Sequence, residues 1–257
     1  MRAVVAVKQV PDTSIAAMGA DGSIVRTGVP SVLDPYCENA LRRIVACRRE
    51  GDTVDVVSMG PPQAEAALRR CIAIGADRAF LLTDPDFAGA DTWATSRTLA
   101  AFLQRHEADA DLLIFGRQTL DGDTGQVPAE VAGILGVQQF LYTRSLEAGD
   151  PMVAVQDYGG FIRRTEVPRG SVVSFGDVDP CGFLPSVPDL LRARRADVVR
   201  MGRIDVQLGL YSVGLKGSAT RILGTRSSDG ARRNMRVEIT NPDIAADLII
   251  KEGRSLS

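Results

Sequence analysis

Apolar residues arrive in two alternating rhythms over the first half of the chain. Short apolar-rich runs at 3–7, 54–58, 79–82 and 112–115 have the length and aliphatic content of strands buried on both faces. Between them the spacing becomes helical. Over 62–74, Ala64, Ala67, Leu68, Cys71 and Ile72 fall on one face, and over 93–103 Leu99, Phe102 and Leu103 do the same. Asp91 or Thr92 suits the N-cap of the second of these helices. Asp34 followed by Pro35 marks another helix start, as cap and first helical residue. A further helical pattern covers 128–135. Strands and helices in alternation predict an α/β fold, an open and mostly parallel Rossmann-like sheet covered on both faces.

The pattern changes after about residue 145. Runs at 152–156 and 161–167 flank Asp157-Tyr158-Gly159-Gly160, a hairpin signal, and an apolar strand follows at 171–175. From about Asp177 the chain is rich in proline, glycine and arginine. A short helix is expected over 189–196. Residues 197–257 show little periodicity until a modest helix near 243–252. The reading is therefore a nucleotide-binding α/β domain over 1–190 with an added hairpin, and an extended C-terminal arm over 191–257. Such an arm needs a surface to cover, its own domain or a partner.

Composition narrows the function. The 257 residues carry a net charge of −2 and are 45% hydrophobic, so neither a nucleic-acid surface nor a polybasic membrane patch is expected. Apolar runs fall far short of the roughly 20 residues that cross a bilayer, which argues against membrane insertion. The first strand begins almost at Met1 and leaves no room for a signal peptide, so a cytoplasmic location is expected. Cys37, Cys47, Cys71 and Cys181 form no C-x-x-C pair and read as free thiols in a reducing compartment. His106, the one histidine, stands at the polar end of a helical stretch and is expected on the surface. With one histidine, neither a Ser-His-Asp mechanism nor a histidine-based metal site is expected. Any redox chemistry has to come from a cofactor.

The candidate site is the run Gly116, Arg117, Gln118, Thr119, Leu120, Asp121, Gly122, Asp123, Thr124, Gly125, Gln126 and Val127. It joins the strand ending at Phe115 to the helix expected from Pro128. In an open α/β sheet such a loop lies outside the carboxyl end of its strand, and the following helix aims backbone N–H groups at an anion. The run matches neither G-x-G-x-x-G nor a Walker loop. Other strand ends should converge on it: Ala6 through Asp12, Ser58-Met59-Gly60-Pro61, and Asp34, Pro35, Tyr36 and Cys37. Each alone is ordinary turn and cap chemistry; together they are the set of loops where a nucleotide sits. Asp121 and Asp123 read as partners of backbone N–H groups or a ribose, rather than as metal ligands or acid/base groups. Arg117 either neutralises phosphate or pairs with one of those aspartates. Leu184, between Phe183 and Pro185, reads by itself as packed under its own loop.

These residues resemble the beta (small) subunit of the electron transfer flavoproteins. The resemblance runs along nearly the whole chain: Val7-Lys8-Gln9-Val10-Pro11-Asp12, Asp34-Pro35-Tyr36-Cys37-Glu38-Asn39-Ala40-Leu41, Ser58-Met59-Gly60-Pro61, Gly75-Ala76-Asp77-Arg78, the loop from Gly116 to Val127, Leu184-Pro185-Ser186, Ala193-Arg194-Arg195 and Gly214-Leu215-Lys216-Gly217-Ser218. Each piece is short; their order and spacing carry the match. The resemblance implies a heterodimer with a larger alpha subunit that holds an electron-carrying FAD, and a nucleotide in the beta subunit itself. In ordinary members that nucleotide is a structural AMP. In electron-bifurcating and Fix-type members it is a second FAD that takes hydride from NADH. Asp121-Gly122-Asp123-Thr124, where AMP-type members carry three acidic residues and Cys-Asn, and Gly89-Ala90-Asp91-Thr92-Trp93-Ala94-Thr95 are similar to the bifurcating pattern. Asp91, Thr92 and Thr95 would then line the open face of the flavin. Two departures stand out: Val127 is followed by Pro128-Ala129 where Gly-Pro is usual, and Ala219 replaces a usual proline. The resemblance also makes Leu184 the anchor for acyl-CoA dehydrogenase-like partners, with Arg192, Arg194 and Arg195 adding charge. Left open are an AMP-binding scaffold with no redox centre of its own, and an unrelated adenine-nucleotide sensor of the same architecture.

Overall fold

The computed structural model describes residues 1–12, 30–176 and 183–220, together with Asn241, Asp243, Ala246 and Ile250. Strand β1 (Arg2–Val7) is flanked by β4 (Thr53–Met59) on one side and β6 (Leu112–Gly116) on the other. Beyond β4 lie β5 (Arg78–Leu82) and β11 (Val198–Met201). Beyond β6 lie β10 (Ser171–Phe175), β7 (Gln139–Glu147), β8 (Met152–Asp157) and β9 (Ile162–Val167). The pairings from β11 through to β7 are parallel, and β8 and β9 add the antiparallel hairpin. A separate ribbon pairs β2 (Gln9–Pro11) with β3 (Ser31–Leu33).

Successive side chains on a strand face opposite ways, so the central strands feed two cores. Val5, Val56, Ile114 and Val173 pack with Leu41 and Ile44 of α1 (Pro35–Ala46) and Leu68 and Ile72 of α2 (Glu65–Ile74). Val4, Val57, Leu113 and Val172 pack with Leu99, Phe102 and Leu103 of α3 (Thr92–His106) and Val131 of α4 (Val127–Leu135). Each such side chain contributes about 1.5–3 kcal/mol when fully buried. The expected strands, the three long helices and the hairpin are all present within a few residues of their expected bounds.

Besides the small β2–β3 ribbon, two strands of the main sheet escape the sequence pattern. β7 carries an irregular burial alternation because the ladder slips at Tyr142, which sits at φ 55°. β11 is an edge strand of four residues inside the segment expected to hold little regular structure. That expectation is corrected there: Val198–Met201 completes the sheet beside β5, and a single turn, α6 (Gly214–Gly217), follows. Of the helix expected over 243–252, the described residues Asp243, Ala246 and Ile250 are helical; the rest, like Cys181, lies outside the described residues. His106 is exposed, as expected, and stacks on Phe102.

At the amino end of the sheet Arg78 grips Asp55 with two hydrogen bonds, of 3.0 and 2.6 Å, and Arg2 pairs with Glu107 and Asp109. Burial and the neighbouring Asp55 push the Glu107 carboxyl above its ordinary range, against Arg78 and Arg2. On the α2 side, one carboxylate organises the edge. Glu65 accepts from Arg69 and, at 2.6 Å, from Arg200 of β11. Arg69 in turn donates to the carbonyls of Ala193, Arg194 and Ala196, closing the end of helix α5 (Val187–Arg195). These are the last carbonyls of a helix, which lack intrahelical donors.

Candidate functional site

The order β4-β1-β6 places a topological switch point at β1, where a crevice opens outside the carboxyl ends of the strands. Its volume is about 1150 Å³, beyond the roughly 300–1,000 Å³ of ordinary small-molecule sites. The floor comes from strand ends: Ala6 of β1, Met59 of β4 and Gly116 of β6, with Cys37 from the first turn of α1. The fit at Gly116 is close. A Cβ there would stand 2.8 Å from the Tyr36 carbonyl carbon and 2.9 Å from the Cys37 nitrogen, so only glycine lets β6 run this near α1. Burial pushes the Cys37 thiol well above its usual range, so it stays neutral.

One wall is the expected loop. Arg117, Gln118, Thr119, Gly122, Thr124, Gly125, Gln126 and Val127 line the crevice. Asp123 and Gly125, at φ 51° and 63°, turn the chain into α4. Among the described residues, no protein acceptor takes the backbone N–H groups of Thr124, Gly125, Gln126 or Val127. The opposite wall starts at α3. Asp91 caps that helix by accepting from the Ala94 amide at 2.9 Å, and Thr92 and Thr95 line the crevice beside it. The Thr92 hydroxyl lies 2.9 Å from Gln126 Oε1 and 3.0 Å from Glu130 Oε1, while Ser96 donates to Glu130 at 2.8 Å. Two helix N-termini, with their partial positive charge, are thereby joined across one crevice.

Other expected site residues lie behind the lining. Asp34, buried, accepts from the amides of Tyr36 (2.9 Å), Cys37 (3.3 Å) and Leu120 (2.8 Å), tying the loop to α1. Burial raises its carboxyl above the usual range, with Asp121 adding to that, against the three amides. Pro35 and Tyr36 form the first turn of α1, and Leu120 is partly exposed. Asp121 holds Lys8 Nζ at 2.7 Å, and Asp123 accepts from Gln118. Arg117 therefore pairs with neither aspartate; its guanidinium stands over the Tyr142 ring, 5.3 Å from the centroid.

The far end of the crevice was not foreseen. Thr83, Asp84, Pro85, Phe87, Ala88, Gly89 and Ala90 line it, and so does Thr220 from the aperiodic tail. The segment after β5 is a single 3₁₀ turn, Pro85–Phe87; its one sequence signal is the Asp84-Pro85 turn chemistry. Both carboxylates of the lining are committed to the fold. Asp84 accepts from the amides of Asp86 and Arg203, each at 2.9 Å, which hold it below the usual range. Burial raises the Asp91 carboxyl, but the amides of Ala94, Thr220 and Ala219 and the Thr220 hydroxyl outweigh that and hold it low. Among the described residues, the lining donors without a protein acceptor include the 124–127 backbone amides and the Arg117 guanidinium, an arrangement suited to an extended anionic ligand. Among the described residues no cluster of His, Cys, Asp and Glu could hold a metal, and no helix is long and apolar enough to cross a membrane.

Leu184 is not packed under its loop: it is 91% exposed. Its neighbour Phe183 is anchored instead, beneath Arg42 at 5.5 Å and by Arg70, which donates to its carbonyl. Val187, Leu190 and Leu191 continue an exposed apolar strip along α5. Arg192 pairs with Asp189 and reaches the Ile72 carbonyl, while Arg194 and Arg195 are exposed.

Residues 21–200 match the family described as electron transfer flavoprotein domain. The electron transfer flavoprotein subunit beta of Thermoanaerobacterium thermosaccharolyticum is 35% identical over 236 residues, covering 90% of each chain. Protein FixA of Azotobacter vinelandii is 36% identical, covering 86% of this chain and 82% of its own. The caffeyl-CoA reductase-Etf complex subunit CarD of Acetobacterium woodii is 44% identical over 158 residues, 60% of each chain. The chain belongs to the electron transfer flavoprotein family. Within it, it is a beta subunit that stands with the Fix-type proteins, and its work is electron transfer.

The two roles of Asp34 separate by substitution. Asp34→Ala removes both the helix cap and the loop tether and should cost about 2–4 kcal/mol. Asp34→Asn keeps an acceptor for the cap but turns an NH₂ toward the Leu120 amide. It should retain most of the stability while hydrogen exchange at Leu120 accelerates. Thermal unfolding and amide exchange measure the two effects independently.

Proposed function

We propose that this chain is the beta subunit of a heterodimeric electron transfer flavoprotein, that FAD occupies its crevice, and that the dimer takes electrons from NADH and bifurcates them. The observation that carries the reading is the set of amides at 124–127 with no acceptor among the described residues, opposite the start of α3, in one crevice of about 1150 Å³. When bound, FAD supplies hydride acceptance and one-electron transfer. The residues supply the rest. The amides of Thr124, Gly125, Gln126 and Val127 hold phosphate oxygens at the head of α4, with Thr124 and Gln126 side chains assisting. Arg117 balances phosphate charge. Thr92 and Thr95 face the ring system from α3, and Asp91, spent on capping and on Thr220, orients them rather than moving a proton. The strand-end floor and the 83–90 segment exclude water from one side. A cytoplasmic setting follows from the same reading.

The alpha subunit would contribute a further FAD and pack on the C-terminal arm, whose residues Ala193, Met201, Val206 and Val213 are buried on this chain's own domain. Redox partners of the acyl-CoA dehydrogenase class would dock on Leu184, with Arg194 and Arg195 steering acidic surfaces. The full exposure of Leu184 on an anchored loop supports this.

The visible spectrum of the purified heterodimer tests the central claim. Two flavins per dimer are expected, and stopped-flow mixing with NADH should bleach the one in this subunit. One flavin, with AMP released on denaturation, identifies the structural-nucleotide alternative.

Gly122 tests phosphate recognition. A Cβ there meets nothing closer than Thr119 Oγ1 at 3.6 Å, so Gly122→Asp adds charge without a clash. It should weaken FAD binding more than AMP binding, because a diphosphate suffers more repulsion; equal retention of both in equilibrium dialysis would count against the assignment.

Docking is tested by Leu184→Ala. Binding of the dehydrogenase should weaken by about 1–3 kcal/mol, slowing interprotein electron transfer while cofactor content and thermal stability stay unchanged. Loss of the alpha subunit would show instead that Leu184 belongs to the subunit interface.

A further inference from the structure

Tyr142 is expensive in two ways. It holds a left-handed backbone, φ 55°, which an aromatic residue rarely adopts, and its side chain is 48% exposed, so core burial does not offset the strain. Nevertheless the surroundings are built to keep it there. The ladder shifts register on both sides of β7 at this point, between Val173 and Phe175 on one side and Thr143 and Ser145 on the other. Three buried polar side chains satisfy the irregular backbone. Ser174 Oγ accepts from the Tyr142 amide at 3.1 Å, Gln156 Nε2 donates to the Leu141 carbonyl at 2.7 Å, and Thr143 Oγ1 donates to the Phe140 carbonyl at 2.9 Å. Bulges of this kind re-aim a side chain, commonly beside a functional site.

The side chain that is re-aimed meets the crevice wall at two points. Its ring lies 5.3 Å from the Arg117 guanidinium. Its hydroxyl stands 3.8 Å from where a Cβ at Gly125 would be, beside the turn that opens the amide cradle. Arg117 and Lys8 are the cations of the lining. Lys8 is neutralised by Asp121, whereas Arg117 makes no ion pair among the described residues.

We propose that Tyr142 is a positioning residue: its strained bulge places an aromatic face under Arg117, and so fixes, against the diphosphate of a bound dinucleotide, the lining cation that forms no ion pair among the described residues. The proposal rests on the crevice being the FAD site. A guanidinium on a flexible stem loses rotamer freedom when it engages an anion; a ring that already holds it lowers that loss.

The test is a double-mutant cycle in the heterodimer depleted of flavin, titrated with FAD and, separately, with riboflavin, which has no phosphate. Arg117→Met should weaken FAD about tenfold. Tyr142→Asn, which removes the ring yet suits a left-handed backbone, should weaken it about three- to tenfold. In the Arg117→Met background the Tyr142→Asn change should add nothing, because the two act as one unit. Tyr142→Phe keeps the ring face and should restore the wild-type affinity, and riboflavin should be indifferent to all four. Independent, multiplying losses, or an equal loss for riboflavin, would overturn the positioning role. Thr95→Trp separates the two levels of the reading: it should block FAD uptake by filling the crevice. If Thr95→Trp still binds FAD, the site assignment fails. If it blocks FAD and the cycle shows no coupling, the role of Tyr142 alone fails.

Discussion

The crevice depends on one close approach. The end of β6 runs against the first turn of α1 so tightly that Gly116 has no room for a Cβ, and the Asp34 carboxylate, at the head of that same turn, reaches across to hold the Leu120 amide. A helix start, a strand end and the loop beyond it are thereby locked into one corner. Loosening that corner by one methyl would push α1 away from β6, free the loop, and carry the 124–127 amides away from the start of α3. The placement of those amides is in this sense a packing property of the sheet's switch point, and only secondarily a property of the loop sequence.

The electrostatics of the site follow from what the fold has already used. Asp34 and Asp91, expected as helix caps, and Asp84, to which the sequence assigns no role, are each consumed by backbone N–H groups that organise a turn or a cap. Lys8 and Asp121 cancel each other at 2.7 Å. What remains of the described lining is polar: peptide dipoles, threonine hydroxyls and the Arg117 guanidinium, with the negative charge of Asp84 and Asp91 spent on backbone amides. Such a surface receives an anion with little reorganisation, because its donors are held by the backbone.

The legible parts of this chain were those with period or punctuation. Buried parallel strands show as apolar runs, amphipathic helices by their spacing, and the loop from Gly116 to Val127 by its place between strand and helix. Asp91 was legible as a cap because capping is local. The features that escaped are those made by distant partners. β11 becomes a strand only through β5 beside it. Thr220 reaches the crevice only because Asp91 accepts its amide and hydroxyl. Tyr142 lies in a strand that the sequence pattern does not show, and neither its backbone conformation nor its contact with Arg117 leaves a pattern in neighbouring residues. Asp34, in contrast, was read as part of the site from its cap chemistry, and only the fold reveals that its second oxygen holds the loop.

Glu65 has a mechanical meaning for a protein that hands electrons onward. Through Arg69 and Arg200 it clamps α5 and β11 to α2, and α2 begins just after Pro61 and Pro62 at the lip of the crevice. The exposed strip on α5 and the crevice are therefore carried on one hydrogen-bonded frame. A change in the distance between strip and crevice would strain the Glu65 pairs to Arg69 and Arg200.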